Sequence, residues 1–271
     1  MTFLITGATG NVGRHLMAEL LGSGRNVRAL TRNPEAELPP GVERVVGDLT
    51  RPETWGDALS GVTGLHLLGG DDNGPLAAAP EILERAAKEG VRRVTVLWNG
   101  QSGPAEAALE EGNFAWTRLE PTEFMSNTLG WAALVREEGL VREPFPEEPA
   151  AVVHEADIAA VAAVALTEDG HDGAVYPISG PEVLTTVDRV RVLGRVLGRD
   201  LRYVELTKEQ AKERMRAAGH AEQVVDFVIG WHADPPPAGR TVVPTVEQVT
   251  GRPARTFAQW VEEHAAVFSS R

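Results

Sequence analysis

No cysteine occurs among the 271 residues. That absence excludes disulfides, thiolate nucleophiles, iron–sulfur clusters and Cys-ligated zinc together. The seven histidines show no HxxxH or similar spacing, so no metal site is expected. Basic residues are also scarce: 26 Lys and Arg against 39 Asp and Glu leave a net charge of −13. A nucleic-acid binder needs a basic face to displace counterions, so no nucleic-acid partner is expected, though a local basic pocket for one phosphate is compatible with this balance. Long apolar runs are missing as well. The longest, residues 158–166, falls far short of a bilayer span, so no membrane partner is expected. The first apolar run opens at Thr2, with no charged and apolar leader ahead of it, and the expectation is a cytoplasmic protein.

What is present reads as an α/β protein. Hydrophobic residues make up 42% and charged residues 24%, a globular composition. The length suits one large domain or a domain with a smaller lobe. Short β-rich runs at 2–6, 26–30, 42–49, 64–70, 91–98 and 114–121 alternate with helical patterns at 11–22, 52–60, 75–90 and 104–112. This alternation predicts a Rossmann-type, doubly wound parallel sheet covered on both faces, with ligands at the C-terminal strand edge. After Pro121 the rhythm changes. Residues 122–150 read as irregular and carry Pro144, Pro146 and Pro149. Further on come a helix at 156–168, a strand at 174–180, a helix at 186–198 and a strand at 201–206. Two helical patterns over 207–231 precede a triple-proline loop, and an amphipathic helix at 256–268 closes the chain. The expected division is therefore 1–121 with part of 150–180 as the nucleotide domain. Residues 122–149 and 181–255 would form a smaller α/β substrate or lid lobe, and 256–271 the closing segment.

ITGATGNVGR (5–14) follows a strand and opens a helix, the context a phosphate-binding glycine turn requires. Gly7 permits the tight turn, Gly10 lets backbone approach a pyrophosphate, and Gly13 allows helix and strand to pack closely. The helix N-terminus supplies N–H groups and partial positive charge for phosphate. NAD sites carry an acid at the end of the second strand to hold the ribose hydroxyls. Here that strand ends Leu30-Thr31-Arg32-Asn33. Arg32 pairs with a 2′-phosphate in a fork geometry, which favours NADP(H). Asp48, at the end of the next strand, can accept from an adenine amino group.

TGATGNVGR, the Arg32 strand end, GDL at 47–49, WTRLEPTEFMSN (116–127), ADIAAVAA (156–163), YPISGPEVLT (176–185) and TGRPARTFAQWVEEHAAVF (250–268) carry a resemblance. Together the chain resembles the NmrA-like branch of atypical short-chain dehydrogenases/reductases, over essentially its whole length. The resemblance implies an NADP(H)-binding Rossmann domain with a smaller C-terminal lobe over the nicotinamide end. By position it implies cofactor contacts at Gly7, Thr9, Gly10, Asn11, Val12, Arg32, Asp48 and Leu49. It adds contacts at Leu68 and Gly69, at Leu97 and Trp98, and along Pro121–Phe124. Some members of that family reduce quinones or small carbonyl compounds, whereas others bind the dinucleotide without turnover and act through protein partners.

The chain departs from the reductases in its proton donors. A Tyr-x-x-x-Lys pair works because the ammonium lowers the tyrosine pKa. Only Tyr176 and Tyr203 are present, and neither has a lysine four residues on. The helix after the fifth strand, where related reductases carry a lysine, holds Glu106, Glu110 and Glu111 instead. At the fifth-strand end stand Trp98 and Asn99. Either they orient a substrate, as a flat wall and an amide, or Trp98 packs and Asn99 caps a turn. Ser102 and the pair Asp71-Asp72 are loop residues with a weaker claim to a role.

Glu123, Phe124, His154 and Trp231 are the candidate substrate contacts, with Trp231-His232-Ala233-Asp234 as a lid or an anchor. Glu120 replaces the arginine that the family shows before that proline, and reads as a structural ion-pair partner of Arg118 or another base. The expected function is transfer of hydride between NADPH and a conjugated or aromatic carbonyl, a quinone-like small molecule, by a monomer or homodimer. Such an acceptor spreads the developing charge and depends less on a dedicated acid. A non-catalytic NADP(H) sensor and a non-redox cyclisation or rearrangement on the same fold are the other readings.

Overall fold

Seven strands form the central sheet: β1 (Thr2–Ile5), β2 (Asn26–Thr31), β3 (Val42–Val46), β4 (Val62–Leu68), β5 (Arg93–Leu97), β6 (Ala115–Pro121) and β7 (Ala174–Ile178). Their order in space is β7-β6-β5-β4-β1-β2-β3. The pairings from β3 through to β6 are all parallel. The order reverses at β1, which lies between β2 and β4, so the ligand edge of a doubly wound sheet falls there. This computed structural model describes residues 1–71, 74–101 and 103–269.

The strands read as nearly unbroken apolar runs because both sheet faces are covered. On one face, Leu65, Leu67, Val94 and Val96 meet Ile82 and Leu83 of the helix Ala79–Lys88, and Leu109 of the helix Pro104–Glu111. On the other, the helix Gly13–Gly22 packs against the helix Glu155–Thr167, which also touches β4, β5 and β6. Glu155–Thr167 is buried almost all round, as expected of a helix rich in Ala, Val and Ile on every side. One polar pair crosses the interior: His66 Nδ1 lies 2.9 Å from Thr95 Oγ1, its partner in the β4–β5 register. Burial pushes the His66 imidazole down to about 4, so it is neutral at pH 7.

The chain divides into two compact units. The first comprises residues 1–121, 155–177 and 248–251, and the second 122–154, 178–247 and the chain from Arg252 onward. The second unit is built on the helices Ala132–Glu138, Thr186–Leu197 and Phe257–Phe268. Val135, Val141, Val190, Leu193, Phe257 and Trp260 form its core. Leu140–Glu143 runs parallel to Arg202–Glu205 in a small sheet of its own. Capping boxes fix three helix starts, at Thr185, Thr207 and Thr256, each with its N3 side chain returning the hydrogen bond.

Two expectations need correction. Residues 122–150 are not irregular. They hold a 3-10 helix (Met125–Trp131), the helix Ala132–Glu138 and a strand, and the three prolines lie only beyond that strand. The helix ends at Gly139, whose φ of 64° is the left-handed cap glycine adopts readily. The helix expected over 52–60 shortens to a 3-10 turn, Pro52–Trp55, where Gly56 turns the chain at a φ of 50° and the Trp55 indole donates to the Asp48 carbonyl at 2.7 Å.

The glycine turn shows why its residue types are needed. A Cβ on Gly13 would sit 2.2 Å from the Gly7 carbonyl oxygen and 2.8 Å from Ala8 Cα, both backbone atoms that cannot rotate away. Gly13→Ala is therefore expected to destabilise the first unit by about 1–3 kcal/mol, the usual range for overpacking. A urea unfolding midpoint equal to that of the parent would contradict this.

Candidate functional site

At the C-terminal edge of β1, β2 and β4 lies a cleft of about 520 Å³. Gly7 and Thr9 of the glycine turn, Arg32 after β2, Asp48 and Leu49 after β3 and Leu68 at the end of β4 all face it. The turn itself is closed by Gly10 N–H donating to the Gly7 carbonyl at 2.9 Å. Gly7 has a φ of 60° and could carry no side chain in any case, because a Cβ would meet Leu68 at 2.6 Å. Gly10 is different. A Cβ there would meet only the Gly7 oxygen, at 3.1 Å, so the space beside it is open to a ligand. Val12, at the start of the helix Gly13–Gly22, offers no side-chain cap, which suits N–H groups that are to meet phosphate. The residues present fit a dinucleotide.

Of the other positions expected to touch a cofactor, Gly10, Asn11, Val12 and Gly13 form the turn and the helix start. Val12 and Leu97 are buried, and the Leu97 carbonyl accepts from Gly69 N–H at 2.8 Å. Pro121 ends β6. The sequence reading missed Thr31, Asn33, Thr50 and the stretch from Gly74 to Ala78, which line the cleft but carry no recognisable motif. Asp48 is partly engaged: its Oδ1 accepts from both the N–H and the hydroxyl of Thr50, at 2.9 Å each. These bonds, with Arg32 and Arg51 nearby, hold its pKa below the ordinary carboxylate value.

Trp98 and Asn99 are tied into their own turn. The Trp98 indole donates to the Gln101 carbonyl at 2.9 Å, and Gln101 N–H donates to Asn99 Oδ1 at 3.2 Å. The Asn99 amide nitrogen packs against Gly70, where a Cβ would lie 2.2 Å from it. Asp71 closes a two-residue antiparallel pairing with Gly74, whereas Asp72 and Ser102 lie outside the described residues. Glu120 forms a 2.7 Å ion pair with Arg118.

The second unit holds a cavity of its own, about 380 Å³, and the candidate substrate residues divide over it. Glu123 and Trp231 line it; Phe124 and His154 do not. His154 is fully buried, with Nε2 3.2 Å from Glu263 of the closing helix. Phe124 instead bridges to Val153. Glu123 is paired with Arg189, its Oε1 accepting from Nη1 at 2.9 Å, and the two side chains are only 9% and 6% exposed. His232 Nε2 lies 3.6 Å from the other Glu123 oxygen. Burial alone would raise the Glu123 pKa, but Arg189 and His232 outweigh it and hold the carboxyl at about 2. Arg189 in turn stacks over the Trp131 ring, 5.5 Å from its centroid, and the Trp131 indole donates to Glu143 at 2.9 Å. Neither tyrosine is placed as a paired acid. Tyr176 OH lies 2.7 Å from His171 Nδ1, and burial near Glu205 and Glu143 pushes Tyr203 up to about 12.

Comparison with known proteins agrees with the cleft. A family model described as NAD(P)H-binding matches residues 7–102. The chain is 37% identical to the (4-alkanoyl-5-oxo-2,5-dihydrofuran-3-yl)methyl phosphate reductase of Streptomyces griseus, over 98% of this chain and 99% of that one. It is 33% identical to the NAD(P)H azoreductase of Xenophilus azovorans, at the same coverage of both chains. Among solved structures, the NADPH-dependent quinone oxidoreductase of Escherichia coli bound to NADPH superposes with a TM-score of 0.80. It is 22% identical, over 97% of this chain and 99% of that one. The triphenylmethane reductase of Citrobacter sp. gives a TM-score of 0.79 at 21% identity with the same coverage. These structural likenesses show the fold. The chain belongs to the NAD(P)H-binding family, with reductases as its relatives. Among the described residues, no helix is long and apolar enough to cross a membrane.

Two outcomes follow from this geometry. Gly10→Val is expected to abolish dinucleotide binding while circular dichroism and melting stay near those of the parent, because its branch fills ligand space rather than core. Retained binding in the folded variant would mean that the turn holds no phosphate. Glu123 has a folded pKa of about 2 against an ordinary 4.5, so its contribution is complete above pH 4.5 and is lost as pH falls towards 2. Urea midpoints should drop across that window more steeply for the parent than for Glu123→Gln. The variant itself should lose about 3–5 kcal/mol, the usual cost of breaking a buried pair.

Proposed function

We propose that the protein is an NADPH-dependent reductase of conjugated acceptors, small molecules in which a carbonyl or an equivalent π system spreads added charge. The observation that carries the cofactor reading is Arg32. It stands on the cleft wall directly after β2, where an acid would hold the ribose of NAD, and the strand end offers no acid. A guanidinium there pairs with a 2′-phosphate, while a carboxylate would repel it. The glycine turn and helix start hold the pyrophosphate, and Leu68 with the segment after β3 borders the rest. When bound, the nicotinamide supplies a hydride.

The relatives support the acceptor class. Their named substrates are an alkanoyl-oxo-dihydrofuran, azo compounds and, at 25% identity, a quinone. All three are conjugated acceptors whose developing charge is delocalised. This chemistry suits a protein without a Tyr-x-x-x-Lys pair, because a delocalised anion needs only an orienting donor and solvent can complete protonation. An aromatic ring in the substrate fits the same reading.

Calorimetry should show NADPH binding more tightly than NADH by about 1–3 kcal/mol, roughly ten- to hundredfold, for one charge-assisted contact. Arg32→Glu should reverse the order. Equal dissociation constants in the parent would remove the NADP preference, and an unchanged ratio in the variant would remove Arg32 as its reader. Oxidation of NADPH should accelerate on addition of 1,4-naphthoquinone. Tight NADPH binding with no turnover of quinone, azo or unsaturated lactone acceptors would favour the sensor reading instead.

A further inference from the structure

The second unit's cavity has a mixed lining. Phe145, Met215, Val228, Ile229 and Trp231 are among its apolar members. Its charged members include a chain of three, and their exposure rises along it. Arg189 is 6% exposed and donates to Glu123 at 2.9 Å; Glu123 is 9% exposed, and His232, at 3.6 Å, is 35% exposed. The carboxylate is therefore closed off, and its second oxygen is buried without a hydrogen bond. The imidazole is the member that opens to the cavity. Its Nε2 faces Glu123 at 3.6 Å, and the ring lines the cavity.

A purely structural ion pair has no need of this third member. Arg189 already neutralises Glu123 and is itself stacked on Trp131. Adding a histidine sets one ring nitrogen 3.6 Å from the carboxylate, a charge contact that favours a proton on that nitrogen and leaves the other for a ligand. His232 also lies in the last turn of the helix Glu222–Ala233, where the carbonyl end favours a cation. The charged groups facing it from neighbouring elements are Glu123, Arg189 and Glu143, while Arg214 is tied to Glu143 and Glu148 also lines the cavity. Burial disfavours the imidazolium, but Glu123 outweighs that, and the His232 pKa is raised.

We infer that this cavity binds a compact, mostly apolar molecule bearing an acceptor oxygen, and that His232 Nδ1–H donates to that oxygen while Glu123 and Arg189 hold the ring. A volume of about 380 Å³ lies at the small end of ligand pockets, which run roughly 300–1,000 Å³, and it suits a one- or two-ring compound. The inference rests on the reductase reading for its choice of ligand, a conjugated ketone. It makes His232 the substrate-touching residue and Glu123 a positioning residue that acts through it. Deprotonation has a definite consequence. Glu123 retains the remaining proton on Nε2, so Nδ1 changes from donor to acceptor and the contact is lost.

The test uses the full chain without dinucleotide, so the outcome does not depend on cofactor binding. Calorimetry would compare 1-tetralone with tetralin, the same skeleton lacking the oxygen. The ketone should bind about ten- to hundredfold more tightly, as expected for one hydrogen bond from a charged donor. Its affinity should fall as pH rises through the His232 titration, while that of tetralin stays level. His232→Leu should erase the difference between the two ligands, with folding retained because Glu123 keeps Arg189. His232→Gln should restore part of it without the pH dependence. Equal affinities, an undiminished difference in His232→Leu, a pH-independent ketone affinity or no ketone binding would each overturn the inference. A failure to bind NADPH would sink the reductase reading while leaving these measurements as they stand.

Discussion

The contact on which the nucleotide edge depends is the approach of Gly13 to the Gly7 carbonyl, closer than any side-chain carbon allows. It presses the start of the first helix against the end of β1, at the point where the sheet order reverses. Only with the helix seated there do the turn, the β2 end and the β3 end converge on one cleft. Gly7 serves the same arrangement differently: its φ of 60° turns the chain, and its missing Cβ leaves room for Leu68. Two hydrogen atoms in place of side chains thus determine where Arg32 can meet a ligand.

This part of the molecule was legible because its constraints are local. Glycine spacing, the strand before it and the helix after it are read within ten residues, and periodicity places the remaining strands nearly as observed. The second unit was legible only in part. Residues 132–138 form a helix that the prolines downstream obscured, since those prolines act beyond the intervening strand rather than on the helix itself. The pairing of Glu123 was not legible at all. Its partners arrive from two helices distant in sequence, and no spacing rule announces a pair made by tertiary packing. His154 illustrates the converse. Named as a candidate substrate contact, it is buried against Glu263 of the closing helix.

The second unit shows the same economy with charge that the first shows with space. A carboxylate buried without partners would be neutral or ruinous to stability, and Arg189 removes that cost only by being buried with it. Such a pair is weak support for stability taken alone, because desolvation consumes most of the attraction. Its value lies in what it fixes: a negative charge held ionised far below neutral pH, at a set position beside a cavity. Trp131 confines the guanidinium on its other side, so the charge has little freedom to move.

The missing Tyr-x-x-x-Lys pair then ceases to be a gap in the design. The Tyr176 hydroxyl is engaged by His171, and burial pushes Tyr203 up to about 12. The Trp98 indole and Asn99 Oδ1 are engaged in the turn that contains them. A simple ketone acquires a localised alkoxide on reduction and needs a tuned acid to meet it. A quinone, an azo group or an unsaturated dicarbonyl places that charge over several atoms, and one oriented donor in a partly dry cavity is enough to steer it. The proposed acceptor class follows from this chain's own departure: hydride chemistry without a strong acid is suited to acceptors that do not require one.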